Sequence, residues 1–159
     1  MASVAKKHAA ADEPGLGHQE MLLRKLLHAF YWVDDGLQAH MVRETGISLP
    51  RAQSMMMACI DDGITRQADM AKQLRVSKQA VQQALKALIG KGFVQVDPDP
   101  DNGRQKIVSL TRKGREMRQI AREGIRELER ALAERIGSTR LEALHEALDA
   151  DWGSSGRTD

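Results

Sequence analysis

The sequence is poor in cysteine and aromatic residues, and it lacks any long apolar run. Its one cysteine, Cys59, excludes an intramolecular disulfide and a cysteine-based zinc cluster, so we expect a reducing, cytoplasmic environment. No basic residue near Cys59 in sequence would lower its pKa, which favours a buried, inert thiol over a redox sensor. The first apolar run follows His18 and is shorter than the roughly eighteen residues of a membrane span. We therefore expect neither a signal peptide nor a membrane segment.

Catalytic and metal-binding patterns are also missing. The chain contains no Ser–His–Asp set, no paired-carboxylate motif and no phosphate-binding glycine loop. The glycine pairs at 15–17 and 90–92 lack the strand-to-helix context that such a loop requires. His28 and His40 are too far apart on one helix to share a zinc ion. The sequence thus predicts no catalytic residue, metal or cofactor, and argues against an enzyme.

The net positive charge of the chain is small, but it is concentrated in one region. The formal net charge of the chain is +2. Between Arg66 and Arg115 there are eleven Lys or Arg and four Asp, a local net charge of +7, so the remainder carries −5. A local excess of this kind is expected of a surface that binds phosphates.

A helix with two distinct faces is predicted inside this basic region. Ser77 can cap its start, and Gly90 or Gly92 can end it. The apolar face comprises Val76, Ala80, Val81, Ala84, Leu85, Leu88 and Ile89, at helical spacing. The opposite face has no acid and comprises Ser77, Lys78, Gln79, Gln82, Gln83 and Lys86. Glutamine can pair with adenine and lysine can reach guanine or phosphate, so this face suits DNA. The alternative is a surface helix that happens to lack acids.

The residues before this helix predict that it is the second helix of a helix-turn-helix. Thr65 is expected to cap a shorter helix, whose inward residues would be Ala68, Ala71 and Leu74. Residues 75–77 form the turn between the two helices.

The residues after the helix predict a two-stranded wing. An apolar run at 93–96 is of strand type, and Asp97 to Gly103 should end that strand because proline, Asp and Asn-Gly favour turns. Ile107, Val108 and Leu110 form the returning strand. Arg104 lies at the tip of the resulting hairpin.

These segments, in this order, resemble the MarR family of winged helix-turn-helix transcription regulators. The matching pieces are ADMAKQLRVSKQAVQQALKALIGKGFV, DPDPDNGR and VSLTRKG. One departure is at the wing, where the family commonly has an Asp two residues before its arginine and this chain has Asn102. The predicted double-stranded DNA contacts are Arg66, Ser77, Lys78, Gln79, Gln82, Gln83, Lys86, Asn102, Arg104 and Lys106.

The predicted fold is mostly α with a small β wing (α+β). The winged helix-turn-helix lobe is placed at 49–114, and helical dimerisation regions at 18–48 and 115–152. Residues 1–17 are expected to form a disordered arm, and 153–159 a flexible tail. The expected helix caps are Ser48, Thr111 and a capping box from Thr139 to Glu142, followed by a stripe of Leu141, Leu144 and Leu148.

Long apolar stripes at opposite ends of the chain predict that a partner covers them, and the resemblance implies that this partner is a second copy in a homodimer. It also implies a repressor of a pseudo-palindromic operator that a small aromatic or phenolic effector releases. His28, Tyr31, Trp32 and Met56 could line such a pocket, although all four also suit a protein core. The alternative functions are a winged helix for protein contact and a non-specific architectural DNA binder.

Overall fold

The structure is a computed structural model and describes residues 21–100, 103 and 106–153. Within them the order is α1 (Leu22–Thr45), α2 (Arg51–Asp61), α3 (Gln67–Leu74), α4 (Lys78–Gly90), β1 (Val94–Pro98), β2 (Lys106–Leu110), α5 (Arg112–Ile136) and α6 (Ser138–Asp149). The predicted α+β fold is confirmed. The predicted arm at 1–17 and nearly all of the tail lie outside the described residues. No described helix is long and apolar enough to cross a membrane.

The chain divides within α1 into two compact units, residues 1–32 and 33–159. The described part of the first unit is the N-terminal half of α1. Most of its large apolar side chains are exposed, including Leu22, Leu23, Leu27 and Phe30. Phe30 and Tyr31 make a tilted ring contact with their centroids 5.9 Å apart.

The second unit has one apolar core that joins the helix-turn-helix to the wing. Methionine fills much of it, because an unbranched, flexible side chain adapts to irregular gaps. The most deeply buried side chains are Met56, Met57, Met70, Val81, Leu88, Phe93 and Val108. The methionines of α2 therefore form part of the core, with the exception of Met55, which is exposed.

Two glycines allow the C-terminal half of α1 to approach α5 closely. A β-carbon at Gly36 would lie 2.5 Å from Leu128 Cδ2, and one at Gly124 would lie 2.7 Å from His40 Cδ2. His40 is buried, and its Nδ1 lies 3.1 Å from Glu127 Oε2. Polar contacts thus supplement the close packing between the two helices.

Thr111 caps α5 as predicted, by accepting the Gly114 N–H at 3.0 Å, but three other helices begin at residues that were not predicted. The N-cap of α2, however, is Pro50, while the Ser48 hydroxyl faces Gln38 Oε1 at 3.4 Å. In α6 the N-cap is Gly137, so the predicted capping box at Thr139 is wrong.

The start of α3 is the third difference. Its N-cap is Arg66, without a side-chain cap, so the prediction for Thr65 is wrong. Ala68 is exposed and Met70 is fully buried, so Met70 takes the core position that was predicted for Ala68.

Candidate nucleic-acid interface

The turn between α3 and α4 is built from short-range hydrogen bonds. Arg75 adopts the left-handed conformation with φ 52°, and the Val76 N–H donates to the Ala71 carbonyl at 3.1 Å. Ser77 then caps α4 by accepting the Ala80 N–H at 3.1 Å. The predicted turn and cap are confirmed. They determine the direction in which α4 leaves the turn.

The other end of α4 closes in a Schellman motif. Gly92 has φ +73°, its N–H donates to the Ile89 carbonyl at 2.9 Å, and the Phe93 N–H donates to the Leu88 carbonyl at 3.0 Å. Only a residue that tolerates positive φ fits here at low cost, so Gly92 rather than Gly90 is the helix stop. Phe93 then enters the core immediately before β1.

The polar face of α4 is exposed along its whole length. Ser77, Lys78, Gln79, Gln82, Gln83 and Lys86 are all exposed. The opposite face buries Val81, Ala84, Leu85 and Leu88. The helix therefore presents amide and ammonium groups outward from a rigid support.

The apolar face predicted for α4 includes residues at both ends of the helix that are in fact exposed. Val76, Ala80 and Ile89 are exposed, although their spacing places them with the buried residues. Val76 and Ala80 flank Ser77 at the N-terminal end of α4. Small apolar side chains there can contact thymine methyl groups, a possible role that helical spacing alone did not suggest.

The wing is longer than predicted. Strands β1 and β2 pair antiparallel in the register Val94↔Leu110, Val96↔Val108 and Pro98↔Lys106. Asp97 and Pro98 thus belong to β1, and the expectation that they end the strand is wrong. Proline is tolerated here because Pro98 is the last residue of a strand in a two-stranded sheet.

Side chains from both strands hold Asp97. Gln95 Nε2 donates to Asp97 Oδ2 at 3.0 Å, and Ser109 Oγ donates to the same oxygen at 2.8 Å. These hydrogen bonds, first from Gln95 and then from Ser109, hold the pKa of the Asp97 carboxyl below its ordinary value. The carboxylate thus helps to join the two strands.

The tip of the wing is only partly described. Asn102 and Arg104, both predicted DNA contacts, lie outside the described residues. Gly103 is exposed, and Lys106 is exposed at the start of β2.

Arg66, another predicted contact, lies beside the wing. Its Nη2 and Nε donate to Asp99 Oδ2 at 2.7 Å and 3.2 Å. The neighbouring Thr65 carbonyl accepts the Val108 N–H at 2.9 Å. The start of α3 is therefore joined to both arms of the hairpin.

Three further cations of the basic region, which were not predicted to contact DNA, are at the surface. Lys113 Nζ donates to the Lys91 carbonyl at 3.0 Å and lies 4.7 Å from the centre of the Phe93 ring. Lys72 on α3 and Arg75 in the turn are exposed, as is Lys113. Lys72 and Arg75 are not among the DNA contacts predicted from the sequence, although both contribute to the local charge excess.

Part of this chain matches a known protein family. Residues 45–105, which include α3, α4 and β1, match the MarR family. The winged lobe belongs to the MarR family. No curated protein matches the chain.

Solved structures resemble the chain beyond the MarR-family lobe. The transcriptional repressor CouR bound to a 23-mer DNA duplex is 27% identical with a TM-score of 0.67, and the match covers 86% of this chain and 96% of CouR. A cysteine-to-serine mutant of MarR from E. coli complexed with operator DNA is 23% identical with a TM-score of 0.65, covering 84% and 95%. RV1404 from Mycobacterium tuberculosis is 18% identical with a TM-score of 0.66, covering 97% and 100%. The last two similarities concern the fold alone.

The predicted effector residues fall in both units. His28, Tyr31 and Trp32 are exposed on the first unit, whereas Met56 is 2% exposed in the core of the second. Within the second unit, a cavity of about 20 Å³ lies beside Met57 and is lined by Leu37, Met41, Leu49 and Met117. That volume holds about one water molecule. Among the described residues, no group of three or more His, Cys, Asp or Glu is arranged to hold a metal ion.

Proposed function

We propose that this protein is a sequence-specific DNA-binding transcriptional regulator. The single observation that carries the proposal is the exposed, acid-free face of α4, held on a capped and well-packed helix within a region of +7 charge. An α-helix fits into the major groove of B-DNA, where its exposed side chains can reach the base edges. The family of the lobe and the DNA-bound CouR structure support the same role.

The side chains of α4 divide into two roles in this proposal. Gln79, Gln82 and Gln83 read base edges, since a glutamine amide can both donate to and accept from adenine. Lys78 and Lys86 mainly attract phosphates, and the exposed Lys72 and Arg75 extend that attraction across the turn. Arg104 on the wing reaches the minor groove, whose negative potential attracts arginine.

We further propose a homodimer. No residue of α6 is buried within the chain, and Leu144, Leu148 and Trp152 are 41%, 46% and 59% exposed. The first unit exposes Leu22, Leu23, Leu27 and Phe30. A second copy that covers these side chains would remove substantial apolar surface from water. A two-fold dimer places two reading helices about 34 Å apart, which calls for a pseudo-palindromic site.

The regulator is proposed to act as a repressor that a small aromatic or phenolic effector releases. The name of CouR as a repressor supports the first part. For the second part, exposed His28, Tyr31 and Trp32 offer an imidazole N–H and aromatic faces to an aromatic acid. Because Met56 is buried, its part in such a site requires local opening of the core.

Selection of bound duplexes from a random pool tests the DNA-binding proposal. The expected product is an inverted repeat, bound at least about a thousandfold more tightly than a shuffled duplex at 150 mM salt, a concentration that must be stated because phosphate attraction depends on it. Equal affinity for both duplexes would indicate an architectural binder. No binding to either duplex would indicate a protein-contact role and contradict the proposal.

Charged substitutions on α6 test the dimer. Leu144→Glu and Leu148→Glu should give a monomer in sedimentation, while Glu146→Ala on the neighbouring surface should leave a dimer. The leucines are already exposed in a single chain, so glutamate there costs the isolated protomer little. A dimer that persists in both leucine variants would place the interface elsewhere.

A screen of aromatic carboxylates tests the effector. A compound that releases the selected duplex from the wild-type protein should act more weakly on Trp32→Ala and His28→Ala. Equal release from all three proteins would place the effector site elsewhere.

A further inference from the structure

An ion pair connects the start of α3 to the wing. Arg66 is the N-cap residue of α3 and directs both Nη2 and Nε to one oxygen of Asp99, the residue after β1. The two residues are 33 positions apart in the sequence. The pair thus joins the first helix of the helix-turn-helix to the arm of the hairpin that leads to the wing tip.

The two partners differ greatly in burial. The Asp99 side chain is 2% exposed, whereas the Arg66 side chain is 49% exposed. A buried carboxylate needs a positive or hydrogen-bonding partner, since an uncompensated buried charge is strongly unfavourable. The fork of the guanidinium also restricts geometry more than a lysine ammonium would. Asp99 therefore holds Arg66 in a defined orientation at the loop end of β1.

A second contact lies beside the pair. The Thr65 carbonyl accepts the Val108 N–H from β2, while Arg66 holds the end of β1. Two successive residues before α3 therefore contact the two different arms of the hairpin. Such a two-point attachment adds to the burial of Val94 and Val108 in the core and restrains the tilt of a two-stranded sheet, which is only marginally stable in isolation.

We propose that Arg66 and Asp99 are a positioning pair that sets the wing relative to the reading helix, and that Arg66 does not act chiefly as a phosphate contact. This inference rests on the proposed DNA-binding function. It assigns the pair to the placement of the wing on the flanks of the operator, while α4 reads the bases between them.

The two roles for Arg66 predict opposite effects of Asp99→Asn on DNA binding. If Arg66 binds phosphate, removal of the neighbouring negative charge frees the guanidinium and reduces repulsion of DNA, so affinity stays equal or rises. If the pair positions the wing, the loss of one partner weakens binding although the lobe becomes more positive. The sign of the change therefore separates the two roles.

The experiment uses the full chain and the duplex that the wild-type protein selects from a random pool. Affinities for that duplex and for a shuffled one are measured for Asp99→Asn, Arg66→Gln, the double variant and Asp69→Asn. Asp69 is an exposed carboxylate in the first turn of α3, so its variant removes the same charge from the same lobe without removing a partner of the pair. Measurements are made well below the melting temperature of every variant.

We expect Asp99→Asn to weaken binding to the selected duplex about tenfold, and Asp69→Asn to leave it unchanged or slightly tighter. The double variant should bind no more weakly than Arg66→Gln alone, because residues that act as a unit are not additive. Equal or tighter binding by Asp99→Asn would overturn the inference. Additive losses in the double variant would overturn it as well.

A hydroxyl-radical footprint separates positioning from simple destabilisation. In Asp99→Asn, protection should fall at the outer flanks of the site and persist where α4 lies. Protection that falls uniformly, together with a lower fraction of active protein, would reduce the pair to a stabilising role and overturn the inference. If the wild-type protein selects no duplex, the proposed function itself fails; a selected duplex that Asp99→Asn binds normally contradicts only the positioning pair.

Discussion

Gly114 of α5 lies directly against the backbone of Phe93. A β-carbon at position 114 would overlap the Phe93 carbonyl oxygen, which also accepts the Thr111 N–H at 3.0 Å. The first turn of α5 is therefore in contact with the junction between α4 and β1. This contact helps to set the distance between the reading helix and the long helix that follows the wing.

The first prediction concerns this contact. Gly114→Ala should lower the free energy of unfolding by about 3 kcal/mol, because the added methyl group meets a backbone atom that cannot move without shifting the wing. Gly90→Ala is the control, since a β-carbon at Gly90 meets nothing within 4 Å. That variant should be stabilised by up to about 1 kcal/mol through the loss of glycine's flexibility. Urea unfolding measures both, and similar stabilities of the two variants would contradict the packing described here.

The second prediction separates base reading from phosphate attraction on α4. Gln82→Ala should flatten the preference at one base pair in each half-site and leave the salt dependence of binding unchanged. Lys86→Ala should weaken binding to all duplexes and reduce the salt slope by about one unit. Titrations against single-base variants of the selected duplex at several salt concentrations measure both quantities. A change of base preference in Lys86→Ala but not in Gln82→Ala would reverse the assigned roles.

The third prediction concerns the tip of the wing. Arg104→Ala should weaken binding to the selected duplex by about 1–3 kcal/mol without changing the sedimentation of the free protein. Asn102→Asp should leave affinity unchanged or improve it, if an acid two residues before the arginine orients it as in the resembling family. Unchanged affinity of Arg104→Ala at moderate salt would exclude a direct role for the wing arginine.

The fourth prediction concerns Cys59, which is buried. Burial, and secondarily the charge of Asp62, raise the pKa of its thiol above the ordinary value. Because the reactive form is the thiolate, iodoacetamide should modify the folded protein far more slowly than the urea-unfolded protein. Peroxide should likewise leave DNA binding intact. Rapid release of the duplex by peroxide from the wild-type protein but not from Cys59→Ala would instead identify Cys59 as a sensor, since oxidised methionine would affect both proteins.

The same shift predicts a pH dependence of stability. A raised pKa means that the folded chain holds the thiol proton more tightly than the unfolded chain does. The stabilisation is therefore fully present below the pKa of the unfolded thiol, about 8.5, and is lost as the pH rises through the higher folded pKa. The free energy of unfolding of the wild-type protein should fall more steeply over this alkaline range than that of Cys59→Ala. Parallel curves would show that the thiol makes no such contribution.

Local hydrogen bonds were predictable at both ends of α4 and at the start of α5. The Ser77 cap, the Thr111 cap and the glycine stop after α4 all follow from residues within five positions of one another. Such interactions depend on the side chain and on the φ that its backbone tolerates. A suitable side chain is not sufficient, however, because the helices that Ser48, Thr65 and Thr139 were predicted to cap begin at other residues. The exposed polar face of α4 was predictable for a related reason, since the helical period fixes which side chains point away from the apolar ones.

The wing shows where a local pattern misleads. Asp97 and Pro98 favour a turn, yet both pair with β2. The hydrogen bonds that Asp97 receives from Gln95 and Ser109 support the strand at this point. Pairing with a strand eight or more residues away thus overrides a turn preference, because each added pair contributes energy that the local sequence does not report.

By itself, the sequence determined the order of the helices and wing, the Ser77 and Thr111 caps and the side of α4 that faces solvent. The tertiary structure decided how far each buried stripe extends, since Met70 is covered while Ala68, Val76 and Ile89 are not. It also decided that Arg66 begins α3 and holds the buried Asp99 from 33 positions away. The physical reason is that a helical period specifies a direction, whereas burial and ion pairing depend on which distant elements arrive to cover that face.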